Sequence, residues 1–257
     1  MVDDKEFVIP KEESHVTYQE NIWRYYFASN FILNKVVLDV ASGAGHGADY
    51  MAKKGAKDVF GVDYSDLAIK YSKNHYSKEN LHFICSDATS LPFEDKFFDV
   101  IVSFETIEHI KNYKKFIKEV SRVLKKNGVL ILSTPNKELS PSLIMPKNWY
   151  HEHEFYPNEL YHLLGKNFFE VQLYSQRNVN PVPYILKNRM IIIISRLIGS
   201  RTIYFGKILR KIGLIKTSFK NEHDFENDLT DKKLFGVKNF SKSLLDVPMY
   251  IICIAKK

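Results

Sequence analysis

The chain has 257 residues, 45% apolar and 14% aromatic, enough to bury the core of one α/β domain with insertions, or of one domain and a small second one. Its 37 Lys and Arg against 30 Asp and Glu leave a net charge of +7, and its two cysteines are too few for a disulfide framework. The opening MVDDKEFVIPKEESH lacks the basic and then apolar start of a secretory leader, and no apolar run reaches the ~18 residues of a membrane span, so a cytoplasmic protein is expected.

Residues 1–34 read as an N-terminal helical cap: a charged tail, then an amphipathic pattern through Ile22, Tyr25, Tyr26, Ser29, Ile32 and Leu33. Tyr18, Arg24 and Tyr25 are placed to close over a ligand from this side, although a packing helix with solvated charges accounts for each taken singly.

The stretch VVLDVASGAGHGADYMAKKG, Val36 to Gly55, reads as strand, Gly-rich loop and helix. Gly43, Gly45 and Gly47 let the backbone turn sharply and bring a ligand close to main-chain N–H groups at a helix N-terminus. Gly43, Gly45 and Ala48 also fit the dinucleotide pattern G-x-G-x-x-G/A, with Asp63 about twenty residues on where that fold places its ribose-binding acid. Asp39 tilts the choice. At the mouth of the loop its carboxylate would repel a pyrophosphate and attract a ligand bearing an ammonium and a sulfonium, as S-adenosylmethionine (SAM) does.

The alternation then continues. DVFGVDY is a strand, SDLAIKYSKNHY a helix capped by Ser65 or Asp63, and LHFICSD a strand. FFDVIVSFE is a strand, KNYKKFIKEVSRVLKKNG a helix with a Gly stop, and VLILSTPN a strand. This rhythm marks a parallel sheet with helices on both faces, whose ligands bind beyond the carboxyl ends of the strands. Asp39, Asp63, Asp87 and Glu105 all fall at such ends. Asp63 suits a vicinal ribose diol, because its two oxygens accept from both hydroxyls, and Asp87 with the N–H of Ala88 suits an adenine edge. Capping of the following helix is the alternative for either acid. Cys85 and Cys253 fall in apolar strand patterns and are expected as buried thiols.

These stretches, with FICSDATSLPFEDKFFDVIVSFETIEHI, FIKEVSRVLKKNGVLILSTPN and NWYHEHEFYPNELYHLL, resemble class I SAM-dependent methyltransferases across most of residues 22–176, and within them a bacterial group associated with glycan and secondary-metabolite pathways. The resemblance implies a Rossmann-like sheet of seven strands, the last antiparallel. It implies that Asp39, Ala41, Gly43 and Gly45 line the methionine part of SAM, with Asp63 and Tyr64 on ribose and adenine. Asp87 and Ala88 match the adenine-contacting pair, and Phe104 the residue after the fourth strand that faces the cofactor. Ala41 stands where Gly is commoner and Ser42 where Cys is frequent, both small enough to keep the loop.

Methyl transfer from a sulfonium needs an acceptor held in line, water excluded and, for a hydroxyl, a proton removed. Candidate bases are Glu105, His109, His151, His153 and Glu154. Glu105 and His109 are four apart and would share a face of a helical turn. In an extended HEHEF, His151 and His153 would point one way and Glu152 and Glu154 the other. An H-x-H pair can bind a metal, but no third ligand has an obvious place in the sequence, and no metal is expected. The family pattern runs through Asn148, His151, Glu154 and Phe155, which favours His151 as general base or acceptor clamp. SFET lacks the NPPY-like element that grips a base amino group, so a hydroxyl or amine of a small molecule, sugar or lipid-linked acceptor is preferred to nucleic acid.

The core is expected to span residues 35–177, with an insert over 178–246 and the final strand over 247–257. EVQLYSQ and MYIICIAKK form the last strand pair. From Val171 to Asn221 there are ten Lys or Arg and no acid; removing them from the 37 leaves 27 basic residues against 30 acidic. Apolar and basic residues mixed at helical spacing over 180–220 suit an anionic membrane surface or a cap on a lipid-linked or phosphorylated acceptor, and equally a lid packed on the domain. Two other functions stand beside methyl transfer: an NAD(P)-dependent oxidoreductase, and a SAM-binding protein without turnover.

Overall fold

The computed structural model describes residues 15–139, 150–179, 237–240 and 247–257; the stretch read as a membrane or acceptor surface, 180–220, lies outside them. In chain order the elements are α1 (His15–Ala28), β1 (Val36–Val40), α2 (His46–Lys53), β2 (Asp58–Asp63), α3 (Asp66–His75) and β3 (Leu81–Cys85). They continue with β4 (Phe98–Phe104), α4 (Tyr113–Val123), β5 (Leu124–Pro135), α5 (Pro157–Leu164), β6 (Glu170–Val179), β7 (Lys238–Asn239) and β8 (Val247–Lys256). The described strands form a sheet in the order β3-β2-β1-β4-β5-β8-β6-β7.

β1 to β5 pair in parallel, and β8 inserts antiparallel to both β5 and β6, as the resemblance implied. To the seven expected strands the structure adds β7, two residues long, on the outer edge of β6. β1 reads as an unbroken apolar run around one acid because both faces of a central parallel strand are covered. Leu38 and Val40 face a core shared with Phe116, Ile117 and Val120 of α4 and Leu160 and Leu164 of α5. Val37 faces the other, with Tyr25 and Ala28 of α1 and Ala48 and Met51 of α2.

β1 has β2 on one side and β4 on the other, so the strand order reverses there and a crevice opens beyond their carboxyl ends. The loops after β1, β2, β3 and β4 converge on it.

Three expectations shift. α4 ends at Val123, with Leu124 already extended, and not at Gly128. Gly128 serves packing instead: a Cβ there would lie 2.8 Å from the Leu124 side chain. Of the apolar face expected for α1, Ile22, Tyr25 and Ile32 are buried while Tyr26 and Leu33 are exposed, Leu33 lying beyond a 3₁₀ turn at Ser29–Phe31 that replaces the last helical turn. Cys85 ends its strand in solvent, whereas Cys253 is buried in β8, where desolvation pushes its thiol up. No helix among the described residues is long and apolar enough to cross a membrane.

Candidate active site

Residues 41–45 bend through left-handed backbone at Ala41 (φ 60°), Gly43 (φ 52°) and Gly45 (φ 80°). At Gly45 space as well as φ excludes a side chain, since a Cβ would come within 2.6 Å of Ser72 Oγ and 2.8 Å of the Phe83 ring. Gly43 looks onto open space. Ala41 takes the conformation that its commoner glycine adopts without cost; for alanine it costs about 1 kcal/mol.

Asp63, at the end of β2, ties two loops together. Its Oδ2 accepts the N–H of Gly43 at 2.8 Å and its Oδ1 the N–H of Ser65 at 2.9 Å. Helix α3 is capped by Ser65, whose Oγ accepts from Ala68 N at 3.2 Å. Asp63 is therefore not the cap, and each of its oxygens keeps a second lone pair for a ligand hydroxyl. Tyr64, 62% exposed, stands beside it. Asp87 is exposed, its Oδ1 accepting from Thr89 N at 2.7 Å, and Ala88 is half-buried next to it.

Asp39 is fully buried, roofed by Tyr25 of α1, whose hydroxyl donates to the two carboxylate oxygens at 3.1 and 3.3 Å. The Tyr25 ring meets Phe104 edge-on at 5.0 Å and sits where a Cβ on Gly47 would be, 1.9 Å from its ring carbon. Gly47 thus seats the roof. Burial pushes the Asp39 carboxyl up to about 8; the Tyr25 hydroxyl opposes the rise and the Asp63 charge adds to it. Phe104 is the last residue of β4, not the one after it, and is buried against this roof.

Beyond β4 the crevice is lined by side chains. Glu105 holds a left-handed conformation (φ 50°), takes the Ser133 hydroxyl at 2.8 Å, and lies 3.5 Å from Arg24 Nη1. Arg24 is buried, donates from Nε to Gln176 at 2.9 Å, and lies over the Tyr250 ring at 4.3 Å. Burial alone would lower its pKa, but the charge of Glu105, with Tyr250, Glu20 and Glu108 behind it, raises it on balance. Glu20 in turn accepts from Arg177 at 2.6 Å and from the Tyr250 hydroxyl at 2.9 Å.

The expected pairing of Glu105 with His109 gives way to another. Ile107–His109 is a 3₁₀ turn that sends Glu108 inward, and Glu108 has the closer approach to His109, 3.9 Å from Oε1 to Nε2. Glu108 Oε2 accepts from Thr134 Oγ1 at 2.9 Å, while Oε1 is buried with no hydrogen-bond partner. Burial, then the neighbouring Glu105 charge, raises this carboxyl well above the usual range.

HEHEF is not extended. The N–H groups of Glu152 and His153 both donate to the carbonyl of Glu108, at 2.8 and 3.1 Å, and this bend breaks the expected alternation. His151 turns toward His109, ring centroids 5.0 Å apart, and its Nδ1 lies 3.0 Å from Glu154 Oε1. His153 turns away, stacking on Tyr113 at 5.0 Å with Nε2 2.7 Å from Glu159. The structure therefore joins His109 and His151 across 42 positions and sets Glu105 apart with Arg24. Glu108 was missed in the sequence; an acid directly before His109, flanked by Ile107 and Ile110, was the available signal.

A family model described as "Methyltransferase domain" matches residues 38–132, the span from β1 through most of β5. This region is a class I methyltransferase domain. Over 161 residues the chain is 32% identical to a protein of Mycolicibacterium smegmatis named "Probable S-adenosylmethionine-dependent methyltransferase", a match covering 60% of this chain and 62% of that one. It is 38% identical over 107 residues to a ubiquinone biosynthesis O-methyltransferase of Pelagibacter ubique, covering 41% and 44%. The chain thus spans roughly half the length of the curated relatives it matches. Among solved structures, the YcgJ protein of Bacillus subtilis superposes with a TM-score of 0.58 at 21% identity over 94% of this chain and 98% of that one, a likeness of fold. The cofactor of the class is SAM, and the residues present fit it: an acid in β1 just before the glycine loop, an acid at the end of β2 with spare lone pairs, and an exposed aromatic ring at Tyr64.

Proposed function

We propose that the chain transfers a methyl group from SAM to a hydroxyl or amine of a small-molecule acceptor. The observation that carries this reading is the chemistry of the glycine loop. The Gly43 N–H, which a pyrophosphate would need, is held by the Asp63 carboxylate, and the Asp39 carboxyl lies directly behind. With that N–H taken and the Asp63 charge beside it the loop disfavours a phosphorylated dinucleotide, while a donor ammonium can draw the proton from Asp39; both disfavour the oxidoreductase.

In this reading Asp39, Ala41, Gly43 and Gly45 surround the methionine portion, with Tyr25 as its roof. Asp63 takes the ribose hydroxyls, Tyr64 the adenine face, and Asp87 with Ala88 the adenine edge. Phe104 excludes water beside the sulfonium. The acceptor enters over the turn after β4, between Glu105, His109 and His151. Its lone pair forms the new bond to the methyl carbon as the S–C bond breaks and that pair returns to sulfur. The acceptor proton leaves by way of His151, whose Nδ1 is oriented by Glu154. Glu105, engaged with Arg24 and Ser133, shapes the pocket and is less suited to take a proton. The Pelagibacter relative acts, by its name, on oxygen, which supports a hydroxyl acceptor. A glycan or lipid-linked acceptor, and an anionic membrane surface, rest on the basic composition of residues 180–220 alone.

Isothermal calorimetry with S-adenosylhomocysteine and with NADH tests the donor, and transfer of a labelled methyl group from SAM into cell extract tests turnover. Micromolar binding of the first ligand with none of the second is expected; tight NADH binding without heat from S-adenosylhomocysteine overturns the reading.

A further inference from the structure

We propose that Glu108, His109 and His151 form a binding site for one divalent transition-metal ion beside the acceptor position. One ligand atom from each of the three lies within 4.8 Å of the others, and they come from two segments far apart in the chain. The donor set is a carboxylate and two imidazoles. That mixture suits Zn²⁺, Mn²⁺ or Fe²⁺, whereas Mg²⁺ and Ca²⁺ favour oxygen throughout.

Two further observations point to an ion. The first is the tautomer of each ring. His109 Nδ1 is 2.9 Å from the carbonyl of Tyr150, and His151 Nδ1 is 3.0 Å from the Glu154 carboxylate. Both acceptors draw the ring proton to Nδ1 and leave the lone pair on Nε2, the arrangement that orients metal-bound imidazoles. The second is Glu108 Oε1, buried and without a hydrogen-bond donor while its sister oxygen is anchored by Thr134. A cation is the partner that satisfies such an atom.

The backbone supports the same assembly. Glu152 and His153 donate to the Glu108 carbonyl, which draws the loop carrying His151 onto the turn carrying His109. Both imidazoles are half-buried, so the cluster is reached from solvent. The existence of this site stands on its own geometry; its role rests on the methyltransferase reading. There the ion would hold the acceptor oxygen and favour loss of its proton to water before the oxygen lone pair attacks the methyl carbon. His151 would then act as a clamp through the ion and not as a base.

The test uses the full chain, stripped with chelator and titrated with Zn²⁺ and Mn²⁺ by calorimetry, with the visible spectrum of the Co²⁺ form as a second readout. One ion per chain is expected, with Co²⁺ bands of a nitrogen-containing coordination sphere. Glu108→Gln, close in shape to the native side chain, should weaken binding at least 10-fold. Glu154→Gln, which removes the partner of His151, should weaken it about 10-fold. His153→Gln, outside the cluster, should bind as wild type does. No saturable binding by the wild type overturns the proposal. So does equal affinity in a triple variant with Glu108→Gln, His109→Ala and His151→Ala, and so does a Co²⁺ spectrum unchanged by it, an arm that needs no folding of the variant for its wild-type half. S-adenosylhomocysteine is titrated in parallel without metal. Its binding with no metal uptake refutes the ion alone, and metal uptake without its binding refutes the methyltransferase reading alone.

Discussion

The half of the crevice proposed for the donor and the half proposed for the acceptor are built by different means. Around β1 and β2, shape comes from main chain: left-handed turns at Ala41, Gly43 and Gly45, with Asp63 pinning the Gly43 N–H. After β4, shape comes from charged side chains, the buried Glu20, Arg24 and Glu108 and the half-buried Glu105, held by one another and by Ser133, Thr134 and Tyr250. A backbone loop reads one fixed cofactor, while side chains can be exchanged to suit a new acceptor without disturbing it.

The contrast can be broken most forcefully at Arg24. Arg24→Met leaves Glu105 facing a buried space without its cation and should cost about 3–5 kcal/mol in urea denaturation; a loss under ~1 kcal/mol would mean that the network is not held by charge. On the other half, Gly45→Ala combines an unfavourable φ with a Cβ 2.6 Å from Ser72 Oγ. It should cost about 2–4 kcal/mol and abolish S-adenosylhomocysteine binding. His151→Ala should lower kcat about 100-fold or more while leaving donor affinity unchanged, whether the ring acts as base or clamp; wild-type turnover would remove it from either role.

Asp39 sharpens the comparison through pH. Its carboxyl, at about 8 against an ordinary 3.8, binds more protons in the native protein than in the unfolded chain between those values. Its contribution to stability is therefore full below pH ~4 and is lost as pH rises through ~8, so Asp39→Asn should flatten that decline in thermal melts. Binding a donor ammonium should expel the proton. Calorimetry at pH 7 in buffers of differing ionisation heat should detect up to about one proton released per SAM. The smallest effect is expected from Ala41→Gly: relief of the left-handed strain, less the extra freedom of glycine in the unfolded chain, should raise stability by under ~1 kcal/mol with SAM affinity kept.

Legibility in sequence follows the same division. The alternation of strands and helices and the carboxylates at the strand ends could be read from local patterns, because period and turn chemistry are properties of short stretches; the antiparallel entry of the last strand followed from the resemblance to methyltransferases. Asp63 could be placed but not its bonds to Gly43 and Ser65. The acceptor half was opaque. Glu105 and His109 were paired by helical spacing in a segment that is a 3₁₀ turn, and HEHEF was read as extended where two N–H groups fold it onto Glu108. Apart from Asn21, one helical turn back, the partners of Arg24 lie 81 to 226 positions away, at Glu105, Gln176 and Tyr250, beyond the reach of any periodicity.

That reach bears on the order in which the molecule becomes competent. The donor loop closes among residues 36–104, whereas Glu20 finds Tyr250 only after β8 has slotted between β5 and β6, a ring closure of 230 positions. Such closures are slow and come late. During synthesis or refolding, a chain should therefore be able to hold its cofactor before it can present an ordered partner pocket, and the insertion of one strand acts as the latch between storing the methyl group and spending it.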